Sequence, residues 1–271
     1  MPPKIKTMTE DQWRSALESS HHGRSMVGWL RHLFGAIPSS PRCKVCNAPF
    51  KGVGGRIFRI FWAGPFEKNP NFCGNCLYKG VGGVEIEITA LFADVRGSTT
   101  MAEQMRPSEF SAVMNRFYKV ATDVLIKSDA WLDKLVGDEV IGLFIPGYAG
   151  PQHASVAVHA AQDLLRMTGH RDPGGPWIPV GVGVNTGLAY VGMVGTDGGI
   201  TDLTALGDTM NTAARLASQA GPGEILVTRS TYTAAGLETN GFEHRQLELK
   251  GKTEPVDVSV IRVAPESISA D

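Results

Sequence analysis

The chain has 271 residues and is 42% hydrophobic, enough for a main domain with a real core and a smaller module beside it. Its net charge of -1 gives no overall electrostatic reason to expect a nucleic-acid partner, so an anionic ligand has to be held by local groups. The start, MPPKIKTMTEDQW, has no apolar signal core, and no apolar run approaches the roughly 18–20 residues that span a bilayer, so a cytoplasmic chain with reduced cysteines and no transmembrane segment is expected.

Residues 1–35 read as an N-terminal helical segment. Thr9 with Gln12 fits a capping box, and Val27, Leu30, Leu33 and Phe34 form an apolar stripe that ends at Gly35. With Arg24, Arg31 and His32 beside it, that stripe suits either packing on its own protein or lying on a membrane surface.

Residues 36–83 form a module and linker that hold all four cysteines. Cys43 and Cys46 in CKVC, and Cys73 and Cys76 in CGNC, give two C-x₂-C pairs, a spacing that suits one structural, tetrahedral Zn²⁺ in a treble-clef-like turn. An iron–sulfur cluster, also held by four thiolates, and redox-active thiols are the alternatives. The stretch KGVGG, 79–83, reads as a linker.

From residue 84 the pattern alternates between α and β. VEIEITALFA is a strand, and 107–127 is a helix opened by Pro107 and striped by Phe110, Met114, Phe117, Ala121 and Leu125. WLDKLV and EVIGLFI form a hairpin turning at Gly137-Asp138, and 152–168 is a second helix. IPVGVGVN and LAYVGMVG read as another hairpin, around Thr186-Gly187. A helix starts near Asp208, strands follow at EILVT, EHRQLEL and VDVSVIRV, and 264–271 is a loose tail. The order β-α-β-β-α-β with an appended βα unit predicts an α+β, ferredoxin-like domain over 84–263.

In TALFADVRGSTT a buried strand ends at Asp94 and gives way to small polar residues, while Asp138 sits at the tip of the first hairpin. Singly, Asp94 reads as a helix N-cap and Asp138 as a turn former. Together, at the ends of paired strands, they suit hard divalent cations, two of which lie about 3.5–4 Å apart in phosphoryl-transfer sites. Backbone N–H groups of Val95, Arg96, Gly97, Ser98 and Thr99 are placed to hold phosphate oxygens.

Five stretches, FADVRGSTT, DKLVGDEVIGLF, VGVGVNTGLAYVGMVG, LTALGDTMNTAARL and LKGKTEPVDV, resemble in order the motifs of class III adenylate/guanylate cyclases. The resemblance implies a homodimer with two active sites at its interface, turning a nucleoside triphosphate into the 3′,5′-cyclic monophosphate and pyrophosphate. It implies that Asp94, Asp138 and the Val95 carbonyl hold two Mg²⁺ or Mn²⁺. Asn211 matches the residue that orients the ribose and Arg215 the one that stabilises charge on the α-phosphate; their i, i+4 spacing puts both on one helix face. Lys250 matches the lysine on the terminal phosphate.

Lys134 matches the adenine-selecting lysine, with Thr204 in the partner position. An ammonium only donates, which suits adenine N1, so ATP is the expected substrate. The Thr204 hydroxyl both donates and accepts, leaving guanylate or mixed specificity as the alternative. A non-catalytic metal- or redox-sensing scaffold that binds nucleotide is a third reading.

Overall fold

Alternation of Val84, Ile86 and Ile88 with exposed Glu85 and Glu87 builds the first half of a long strand, and from Thr89 both of its faces are buried. In a computed structural model the residues described are 9–18, 33–34, 41–44, 46–61, 64–66, 70–74, 82–195, 201–238 and 241–263. In chain order the elements are α1 (Glu10–Glu18), α2 (Gly52–Phe61), β1 (Gly82–Val95), α3 (Ser98–Gln104), α4 (Pro107–Lys127), β2 (Trp131–Val136), β3 (Glu139–Phe144) and α5 (Pro146–Ala149). They continue as α6 (His153–Met167), β4 (Val180–Gly195), β5 (Thr201–Leu206), α7 (Asp208–Gln219), β6 (Glu224–Thr228), α8 (Arg229–Ala234), β7 (Glu243–Leu247) and β8 (Val256–Arg262).

The strands make one sheet in the order β2-β3-β1-β4-β6-β8-β7, with β5 paired to the far end of β4. Its first four strands, with α4 and α6 as the crossovers, are the expected ferredoxin-like unit. One face is covered by α4 and α6, whose Phe117, Ala121, Leu125, Ala161 and Leu164 pack on Leu91, Ala93, Val140, Val182 and Val184. The other face carries Ile86, Ile88, Phe92, Ile141 and Leu143, covered by α7 and by Trp13, Leu17 and Phe72 from the N-terminal segments.

Residues 180–195 do not form the expected hairpin. β4 is one continuous strand, with Thr186 opposite Thr89 and Gly187 opposite Ile88. The fourteen residues of β1 offer an unbroken pairing template along its whole length. The β4 glycines serve another purpose: they let α7 lie on the sheet. A Cβ on Gly183 would sit 2.3 Å from the Ala213 carbonyl oxygen, and one on Gly187 would sit 2.9 Å from the Thr209 hydroxyl. β5 was not foreseen in the sequence.

The expected linker also ends early, since Gly82 and Gly83 already belong to β1. There the backbones touch: a Cβ on Gly192 would lie 2.4 Å from Gly83 Cα. At the N-terminus the capping box forms, with Thr9 N donating to Gln12 Oε1 at 3.1 Å and Gln12 N to Thr9 Oγ1 at 3.4 Å. α1 buries Trp13 and Leu17 against the sheet, and Arg14 Nη1 donates to the Glu85 carbonyl at 3.1 Å. Val27, Leu30, Arg24, Arg31, His32 and the tail 264–271 lie outside the described residues. Among the described residues no helix is long and apolar enough to cross a membrane.

Candidate active site

Pairing of β1 with β3 places Asp94 opposite Glu139, and the two-residue turn after β2 brings Asp138 beside them. Gly137 at that turn has φ 62, a left-handed backbone that favours glycine. Val95 N donates to the Asp138 carbonyl at 3.1 Å, and the Tyr118 hydroxyl donates to the Gly137 carbonyl, which fixes the turn against β1 and α4. Ser98 Oγ donates to the Asp138 carboxylate, and Arg96 pairs with Asp94.

The sequence reading missed Glu139. Burial, then the charges of Asp94 and Asp138, push its carboxyl up to about 7. Burial also raises Asp94; its hydrogen bond and ion pair with Arg96 oppose that, and the Asp138 charge adds to it. Half-buried carboxylates gathered at the strand ends, with one guanidinium to offset them, are a donor set that fits hard divalent cations. Asp94, Asp138 and the Val95 carbonyl are the groups that would hold Mg²⁺ or Mn²⁺.

Of the five amides expected to hold phosphate oxygens, two are engaged elsewhere. Val95 N is taken by Asp138, and Arg96 N donates to the Pro179 carbonyl at 2.8 Å. Gly97, with φ 71, turns the chain into α3, leaving the amides of Gly97, Ser98 and Thr99 at its start, where a helix supplies no internal acceptor. The Arg96 guanidinium reaches past Asp94 to the Ser218 carbonyl at 2.8 Å, so it ties the acid site to the end of α7.

α7 carries Asn211, exposed, and Arg215, half-buried. Arg215 leans on the turn between Lys250 and Lys252: a Cβ on Gly251 would lie 3.3 Å from its Nη2. Gln219 Nε2 donates to the Glu248 carbonyl at 3.2 Å, and Lys252 pairs with Asp208, so the turn and the helix form one unit. Lys250 is exposed on that turn.

Lys134 owes its direction to a β-bulge. The β2–β3 register slips between Leu132 and Lys134, so Trp131 pairs with Leu143 and Lys134 with Ile141. Positions three apart on a regular strand face opposite ways; the extra residue, Asp133, puts Trp131 and Lys134 on the same face as Phe92 and Asp94. Thr204, 5% exposed, lies in β5 opposite Gly192. The sheet curls until the Trp131 indole N–H reaches the Leu203 carbonyl at 3.2 Å.

In the cysteine module, Cys43, Cys46 and Cys73 are buried with their sulfurs within 4.8 Å of one another. Cys46 Sγ and Cys73 Sγ are 3.6 Å apart, close to the about 3.8 Å edge of a zinc tetrahedron with 2.3 Å bonds. Cys73 N donates to Cys43 Sγ at 3.3 Å, as suits a thiolate. This trio fits a metal clip, with Cys76 outside the described residues. The segment between the cysteine pairs forms α2, and Phe34 packs on the cluster. The module docks through the Lys44–Asp129 ion pair and through Asn71 Nδ2, which donates to the Ile126 carbonyl at 2.8 Å.

Residues 84–261 match the family described as Adenylate and Guanylate cyclase catalytic domain. Among curated proteins, an adenylate cyclase specific to terminal differentiation in Dictyostelium discoideum is 31% identical over 179 residues, 63% of this chain. The matched part is 8% of that relative's own length. The crystal structure of the guanylyl cyclase Cya2 superposes with a TM-score of 0.60 at 28% identity, covering 70% of this chain and 98% of that one. The adenylyl cyclase CyaB from P. aeruginosa does so with 0.58 at 26% identity, covering 68% and 97%.

Proposed function

The chain belongs to the adenylate and guanylate cyclase catalytic domain family, and from that we propose that it is an adenylate cyclase, converting ATP to 3′,5′-cyclic AMP and pyrophosphate at the interface of a homodimer. The observation that carries the choice of base is the bulge in β2, which turns Lys134 onto the face of Trp131, whose indole N–H reaches the Leu203 carbonyl, next in the chain to Thr204. The Lys134 ammonium donates to adenine N1, and the Thr204 hydroxyl accepts from the adenine amino group.

Asn211 holds the ribose, and Arg215, one turn further along the same helix, meets the charge that builds on the α-phosphate. Lys250 and the amides of Gly97, Ser98 and Thr99 bind the outgoing phosphates. Asp94 and Asp138, with the Val95 carbonyl, would hold two divalent cations, for which Asp94 would give up its pairing with Arg96. The bound cations make the ribose 3′-hydroxyl more acidic and offset charge on the leaving pyrophosphate. The cysteine module holds a structural Zn²⁺.

The test is cyclic nucleotide formation from ATP and GTP by the full chain with Mg²⁺ or Mn²⁺. A kcat/KM for ATP at least about tenfold above that for GTP is expected, the worth of one good hydrogen bond in discrimination. Comparable values would instead support mixed specificity, which the two-way hydroxyl of Thr204 favours. Asp94→Ala and Asp138→Ala should each lower turnover by at least about 100-fold while the protein stays folded. Full activity in either variant rejects the role given to that acid.

A further inference from the structure

β2 carries Lys134 and β5 carries Thr204, yet the two strands share no ladder: β3, β1 and β4 stand between them in the sheet. What joins them is a side chain. Trp131, fully buried, donates its indole N–H to the carbonyl of Leu203, the residue before Thr204. The same indole lies three positions before Lys134, across the bulge that sets the direction of that lysine. One buried hydrogen bond therefore links the strand that carries the ammonium to the strand that carries the hydroxyl.

The ring is held in turn by the cysteine module. Phe66 stacks on it at 5.6 Å between centroids, and Phe72 meets it at 6.4 Å and 52°. Phe72 is fully buried, packs on Tyr148 at 4.6 Å, and directly precedes Cys73 of the thiol cluster. Phe66 N donates to the Phe72 carbonyl at 2.7 Å, so the backbone segments that carry the two rings are joined. A shift of Cys73 reaches Trp131 through one aromatic contact.

We propose that Trp131 is a positioning residue for base recognition, and that Phe72 and Phe66 make the cysteine module the support on which the site's choice between adenine and guanine rests. This builds on the adenine reading of Lys134 and Thr204 given above. The indole touches no substrate; its effect passes through the two strands it joins.

The test compares kcat/KM for ATP and GTP in the full-length wild type, Trp131→Phe, Phe72→Leu and, as a control from the opposite face of the sheet, Phe117→Leu. Trp131→Phe keeps a ring between Phe66 and Phe72 but removes the donor. It is expected to change the ATP/GTP ratio about tenfold, mainly through KM for ATP, with kcat changed less than about threefold. Phe72→Leu is expected to move the ratio in the same direction by about threefold, and Phe117→Leu to lower thermal stability while leaving the ratio within about twofold of wild type. A ratio unmoved in Trp131→Phe, or moved equally by Phe117→Leu, overturns the proposal. Should Trp131→Phe not fold, Phe72→Leu decides on the same ratio. A wild type that does not favour ATP defeats the adenine reading, whereas the role of Trp131 is judged only by whether its removal changes the ratio.

Discussion

Glu139 faces Asp94 across the β1–β3 ladder and titrates near neutrality, which makes the acid cluster a pH-dependent liability in the metal-free protein. Its folded value, about 7, lies above the ordinary 4.5, so the folded state binds the extra proton between those limits. Stability from this group is therefore present below about pH 4.5 and is lost as pH rises through about 7. In the presence of a chelator, Glu139→Gln is expected to be more stable than wild type by about 1–3 kcal/mol at pH 8 and equal to it near pH 4. Urea denaturation at the two pH values checks this; an equal gap at both would show that charge is not the cause. The same residue shows what a sequence hides: Asp94 and Asp138 announce themselves by sitting at an abrupt strand end and a turn, whereas Glu139 opens a strand and becomes part of the cluster only through register.

Among the elements, the outer edge of the sheet is tied by Glu224 at the start of β6. Arg245 of β7 grips its carboxylate with two bonds of 2.9 and 2.6 Å, Arg262 of β8 adds one at 3.0 Å, and Gly221 N another at 3.0 Å. The Arg245 bonds come first in holding the carboxyl down at about 2, against the upward push of burial. Because that value is depressed, the stability it contributes is present above about pH 4.5 and is lost as pH falls toward about 2. Arg245→Ala is expected to cost about 1–3 kcal/mol at pH 7 and much less near pH 3, read by chemical denaturation at both. Of the three strands that meet here, β6 and β8 were legible from short β-branched runs, as was α4 from its stripe and Pro107. β4 was not. Thr186-Gly187 has the composition of a turn, and only the length of β1 and the approach of Thr209 on α7 give the glycine its real use. β5 escaped notice because TDLTAL is short and its burial comes from curling over the face toward Trp131, a contact that no local pattern encodes. The bulge that aims Lys134 is equally silent in the sequence, although Lys134 itself was found by resemblance.

At the scale of the molecule, the acids lie at the tips of β1 and β3, while Asn211, Arg215 and Lys250 belong to the unit formed by α7 and the 250–252 turn. If each site takes the acids from one copy and that unit from the other, an equal mixture of Asp94→Ala and Arg215→Ala chains forms hybrid dimers with one intact site. Activity of about a quarter of wild type is expected on mixing, against almost none for either variant alone; no recovery, with hybrids confirmed, counts against shared sites. The cysteine module makes a separate statement. Metal analysis of the full chain should find about one zinc per copy and no absorption near 400 nm, since an iron–sulfur cluster would colour the protein brown. The backbone contact of Gly82 and Gly83 with Gly192 has a practical consequence for anyone who wishes to graft a different N-terminal module onto this sheet. The splice has to fall upstream of Gly82, because the seam itself lacks room for a single methyl group, and whatever replaces the native module must bring its own cover for Trp131.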